Sequence, residues 1–174
     1  MKKNLIVLLS FLTLMSCSTS SVDLSDENYI FTGRGGAKCE VDGVELVPRL
    51  TISPGANSLD FGYESYNGEE YLYLKFNNRG PENSLLVVGV VVKNVNPFEN
   101  NLTGTLYDLN NDSTGTYTIM LLDEFSTNLD YIGEFEIVYH NQQERILAGK
   151  FWYDAVNAEN EVREIRNGEF DLKY

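Results

Sequence analysis

From Tyr29 onward the apolar and polar residues of the chain alternate with period two, the repeat of a half-buried β-strand whose successive side chains point to opposite faces. Runs of this kind predict strands near 29–33, 37–41, 44–52, 58–66, 70–77, 102–108 and 116–122. Gly, Asn, Asp and Pro separate them at short intervals. Asp42-Gly43 and Asn67-Gly68 predict two-residue hairpins, because a type I′ turn needs positive φ at both central positions. In the 70–77 run Leu72, Leu74 and Phe76 share one face, and Tyr71, Tyr73 and Lys75 the other. The run 85–92 is apolar at nearly every position, which predicts a central strand covered on both faces. Further on, Gly133, Phe135, Ile137 and Tyr139 alternate with Glu134, Glu136 and His140, which would turn the histidine outward near the hairpin tip at 141–143. Leu147, Gly149, Phe151 and Tyr153 supply the partner strand, and Phe170, Leu172 and Tyr174 a last one. No window shows a helical repeat.

About ten short strands without a helix predict an all-β fold, an antiparallel β-sandwich or barrel-like meander in which two apolar faces cover one another. Hairpin-linked strands favour up-and-down neighbours. The domain expected is 29–174, long enough to bury a core without disulfide or metal. Its C-terminal part carries Gly115-Thr116-Tyr117-Thr118-Ile119, Ile132-Gly133-Glu134-Phe135-Glu136-Ile137, Ile146-Leu147-Ala148-Gly149-Lys150-Phe151-Trp152-Tyr153 and Asn167-Gly168-Glu169-Phe170-Asp171-Leu172-Lys173-Tyr174. This succession, over roughly 100–174, resembles a family of small uncharacterised lipoproteins of Bacteroidetes-type bacteria. The resemblance implies an envelope location and transfers no active site.

The N-terminus reads differently. Met1-Lys2-Lys3 is followed by an apolar run from 5 to 14 and then by Met15-Ser16-Cys17, a basic, apolar and small-residue succession that marks an export signal. Spanning a bilayer takes about 20 apolar residues, so this run is too short to be a membrane helix. It resembles a lipobox, which implies cleavage after residue 16 and lipidation of Cys17. Residues 1–16 are then a lipoprotein signal peptide, and 17–28, polar and acidic, an acylated flexible tether. The location implied is the cell envelope, lipid-anchored at the outer membrane, on its periplasmic face or the cell surface.

Charge narrows the partners. The formal charge is −13, and the leader removes two of the 13 basic residues and none of the 26 acidic ones. A polyanion would be repelled, so nucleic acid is excluded as a partner, and the membrane contact is left to the lipid anchor. A protein or a glycan remains.

Candidate chemistry is sparse. With Cys17 lipidated, Cys39 is a lone thiol beside Val41 on an apolar face, a core residue rather than a nucleophile. Asp108, Asn110 and Asp112 have the alternate spacing of a calcium loop, but Ser113 stands where its glycine belongs, so no metal is expected. One histidine founds neither a zinc site nor a triad, and Glu134 with Glu136 are unremarkable among 26 acids. Hence no catalytic residue, no cofactor and no enzyme is expected. Trp152 points outward between Phe151 and Tyr153, and with Tyr71 and Tyr73 it forms a possible binding platform, since flat rings bury apolar faces and bond at their edges. Asp112-Ser113-Thr114 resembles an O-glycan acceptor sequon of Bacteroidetes-type bacteria, which would make Ser113, in an expected turn, the modified residue. These features point to a non-enzymatic envelope module that binds a glycan or protein. An alternative is an acidic inhibitor or guard protein acting on a basic envelope-directed enzyme.

Overall fold

A computed structural model of the chain describes residues 22–49, 57–66, 68–80, 84–93, 103–106, 113–120 and 122–174. Among these there is no helix. Eleven strands follow in order: β1 (Arg34–Val41), β2 (Val44–Leu46), β3 (Leu59–Tyr66), β4 (Glu69–Arg79), β5 (Leu85–Lys93), β6 (Thr103–Leu106), β7 (Thr114–Ile119), β8 (Asp123–Ser126), β9 (Gly133–Asn141), β10 (Ile146–Val156) and β11 (Val162–Lys173). The predicted all-β antiparallel fold is therefore observed, as one curled sheet.

The sheet runs β2-β1-β11-β10-β8-β7-β5-β4-β3, and β9 with β6 branches from the first half of β10. β10 makes the branch possible because it is long: residues 146–153 pair with β9, while Val156 at its far end bridges to Ser126 of β8. Curling brings the two ends of the order together. The N–H of Arg49, just beyond β2, donates to the carbonyl of Asn77 on β4 at 2.9 Å. Phe61 of β3 meets Phe170 of β11 at 5.5 Å between centroids, and Phe76 of β4 meets Phe151 of β10 at 6.4 Å. The core thus lies between a β1-β11-β10-β9 wall and a β3-β4-β5-β7 wall. Tyr153, fully buried, crosses it and donates its phenol to the carbonyls of Thr116 at 2.6 Å and Gly89 at 3.3 Å. Its ring rests on Gly115, where a Cβ would stand 2.6 Å from the ring.

The Asp42-Gly43 hairpin forms as expected, with φ of +50° and +77°. Gly68 has a φ of +83° between the paired residues Tyr66 and Glu69, while Asn67 lies outside the described residues. Other expectations change. Val87 and Val91 of β5 are half-exposed on the outer face, so this strand is fully covered on one side only. Among the described residues of the expected 44–52 strand, Val44–Leu46 pairs as β2 and 47–49 is irregular, while 50–52 lies outside the described residues; β8 is an addition to the predicted set.

Two corrections have a single kind of cause. A bulge in β9 at Val138, where pairing jumps from Ala148–Tyr139 to Gly149–Ile137, slips the alternation by one residue. Tyr139 is carried to the outer face, where it stacks on Phe31 at 4.3 Å. His140, expected outward, lies half-buried beside the core with Nε2 at 2.7 Å from the Tyr174 hydroxyl.

The expected strand at 29–33 is instead an irregular segment laid on the outer face of β11. Its anchor is Asp171, which is 0 % exposed. Its carboxylate accepts hydrogen bonds from the Tyr29 hydroxyl at 3.0 Å, the Thr32 N–H at 3.0 Å and the Gly33 N–H at 2.9 Å. Upstream, Val22 is 1 % exposed and donates its N–H to Gly35 at 3.0 Å. Within the stretch expected to be a flexible tether, 17–28, Val22 is buried against the domain and the Leu24 N–H bonds to Glu169, while Asp23 and residues 25–28 are exposed.

Candidate functional site

The outer face of the β9-β10-β11-β1 wall presents two cross-strand rungs. Antiparallel register places Glu136, Lys150, Glu169 and Lys38 in one row, so that charges alternate in sign from strand to strand. Lys38 Nζ reaches Glu169 Oε2 at 3.3 Å, and the same oxygen accepts the Leu24 N–H at 3.1 Å. In the next row Glu134 opposes Trp152, and Arg166 opposes Glu40. Between these rows β11 carries a bulge, with Asn167 at a φ of +50° and pairing that steps from Phe151–Gly168 to Tyr153–Ile165. The extra residue spreads the rows and opens a groove of about 680 Å³, with Ser25 of the N-terminal segment at its border.

Trp152 is held within this groove. Its Nε1–H donates to Glu134 Oε2 at 3.2 Å, and the Arg166 guanidinium lies 5.5 Å from its ring centre. Arg166 is fixed in turn by Asp154 Oδ1 at 2.5 Å and by the carbonyls of Tyr153 and Ile165 at 3.0 Å. A flat ring with a pinned edge is a rigid apolar patch, and pre-orienting it lowers the entropy lost on binding. Around it Glu134, Glu136 and Glu169 offer acceptor oxygens, against Lys150 as the donor not engaged with the indole. That inventory suits hydroxyl-rich or cationic ligands.

Tyr71 and Tyr73 do not join Trp152. They lie on the outer face of β4, and because Phe76 of β4 and Phe151 of β10 meet across the core, outward side chains of the two strands point in opposite directions. The single platform expected from sequence is thus divided. Tyr71 donates to Glu69 Oε2 at 2.9 Å beneath Lys93, and those two bonds hold the Glu69 carboxyl below its ordinary value. Tyr73 lies across Gly62, which has no side chain to shield the strand.

Cys17 and the Asp108–Asp112 spacing lie outside the described residues. Ser113 is half-buried immediately before β7, and its Oγ accepts the Lys93 N–H at 3.2 Å, so it is a less accessible acceptor than a turn tip would provide. Cys39 is buried as expected, and burial pushes its thiol up to about 12. No group of three or more metal-ligating side chains occurs among the described residues. Strand alternation alone does not single out Arg166 or Glu169 as groove residues. The Asn167-Gly168 pair inside an alternating strand was the available signal, since Gly in a strand interior marks a bulge.

The chain matches no family model, no curated protein and no solved structure in the three comparisons made.

Proposed function

We propose that this chain is a lipid-anchored, non-enzymatic protein of the cell envelope whose Trp152 groove binds an extended glycan. The observation that carries the reading is the groove itself: about 680 Å³ of concave surface on a rigid sheet, within the range of roughly 300–1,000 Å³ usual for ligand sites, with a pinned indole between carboxylates. Sugar rings offer an apolar face to the indole and hydroxyl donors to Glu134, Glu136 and Glu169. In this reading the lipid on Cys17 stands five residues before Val22, a span of at most about 18 Å, so the domain rides close to the membrane.

The test is binding of the full chain to a glycan array, followed by calorimetry on the best ligand. Trp152→Ala should weaken that binding at least tenfold, whereas Tyr73→Ala, on the opposite wall, should leave it unchanged. Absence of any glycan ligand, or equal binding by Trp152→Ala, rejects the reading.

A second reading follows from charge. Glu134, Glu136 and Glu169 outnumber Lys150 and Arg166 in the groove, on a chain of net −13, which suits a basic enzyme held in check. It would show as capture of a basic protein that is lost between low and physiological salt, with no glycan binding.

A further inference from the structure

The end of the curled sheet away from Val22 holds a second cavity, of about 550 Å³. The β1–β2 hairpin contributes Val41 and Leu46, β5 contributes Leu86 and β7 contributes Ile119, so its walls are aliphatic. At the mouth Val44 is 69 % exposed and Leu122 is 74 % exposed, apolar side chains that folding leaves in water. Tyr117 also lines the cavity. It is 5 % exposed, its ring packs on Phe125 at 5.9 Å between centroids, and its hydroxyl bonds to none of the described residues. A buried hydroxyl without a partner is costly and uncommon in a native fold. Beside it Arg163 commits Nη1 to Asp42 Oδ2 at 3.1 Å and lies 5.1 Å over the Phe125 ring, while its other N–H groups bond to no described residue. Arg79 and Arg163 balance Asp42 and Glu45 around this cavity, so the strong acid surplus of the chain is absent here.

We infer that this cavity binds a single-chain amphiphile with a carboxylate head, of the size of a medium-chain fatty acid. The hydrocarbon takes the place of water against Leu46, Leu86 and Ile119. The carboxylate accepts hydrogen bonds from the Tyr117 hydroxyl and the Arg163 guanidinium. This supplies the partner that the Tyr117 hydroxyl lacks, and it leaves the Trp152 groove untouched.

Tyr117→Phe makes the test specific, because its effects on binding and on folding are opposite in sign. Binding of dodecanoate, kept below its micelle concentration, would be followed by calorimetry on the full chain. One site is expected, weakened about ten- to a hundredfold in Tyr117→Phe, the loss of one hydrogen bond to a charged group. The same substitution should leave the melting temperature of the unliganded protein unchanged or raised, because no existing bond is broken. Ile119→Lys should abolish binding by placing a charge against the chain. The inference is overturned if dodecanoate shows no saturable binding, if Tyr117→Phe or Ile119→Lys binds it as well as the wild type, if Tyr117→Phe destabilises the unliganded protein, or if dodecanol binds as tightly as dodecanoate.

Discussion

Replacing Asp171 by Asn removes one charge and hardly any volume, and should release the N-terminal segment from the sheet. In the native protein both carboxylate oxygens are used, Oδ1 by the Gly33 N–H and Oδ2 by the Thr32 N–H and the Tyr29 hydroxyl. An amide can keep an oxygen toward Gly33, but then its NH₂ group faces the Thr32 N–H, donor against donor. Tyr29 can rotate its hydroxyl to accept instead. The net change is one charge-assisted bond weakened at Gly33, one turned into a neutral bond of opposite direction at Tyr29, and one replaced by a donor–donor repulsion at Thr32. At about 1.5–3 kcal/mol for a hydrogen bond to a charged group, a total near 2–4 kcal/mol follows once the relief of burying a neutral group is counted. Beyond these bonds, 29–33 is tied to the sheet by the Phe31–Tyr139 stack and by the close approach of Gly33 to Ile146 and Lys173, so the loss should be local. The assay is hydrogen exchange at the Thr32 and Gly33 amides, with urea unfolding beside it. Protection at both amides should fall by at least tenfold while the β10–β11 amides keep theirs, and Tyr29→Phe should give a smaller loss. Unchanged protection at Thr32 and Gly33 in Asp171→Asn would refute the latch.

Cys39 should resist a thiol reagent at pH 8 in the native protein and react at once in urea, since burial pushes its thiol up to about 12; native labelling at the unfolded rate would contradict the burial. Stability should decline in alkali. Burial first, and then the bond to Asp171 or Glu70, hold the Tyr29 and Tyr63 phenols well above their ordinary 10.0, and burial does the same to Tyr153. The folded state therefore retains protons that the unfolded chain loses, so stability is intact below about pH 10 and falls as pH rises beyond it. Phenolate absorbance and unfolding should then rise together, and tyrosines that ionise while the fold persists would count against this. Finally, Cys17→Ala should abolish fatty-acid labelling and leave the precursor uncleaved, whereas labelled wild-type protein that ignores the substitution would reject the anchor.

Local pattern determined a good deal of this protein. Period-two alternation marked most of the strands, Asp42-Gly43 its hairpin, and the Leu72, Leu74 and Phe76 face its part of the core, because strand side chains answer to a repeat that the chain itself displays. The same alternation identified Trp152 as outward and Cys39 as inward. What it could not contain is anything that depends on which distant strands meet. Bulges at Val138 and at Arg166–Asn167 each insert one residue, reversing His140 and opening the groove, and they arise from the fit between neighbouring strands rather than from either strand alone. Curling of the sheet sent Tyr71 and Tyr73 away from Trp152. It also brought Val41, Leu86 and Tyr117, far apart in sequence, around one cavity. Asp171 reads in sequence as an ordinary outward acid between Phe170 and Leu172. Only the return of residues 29–33, some 140 positions upstream, buries it, and burial turns a solvated charge into the fastening of the N-terminal segment.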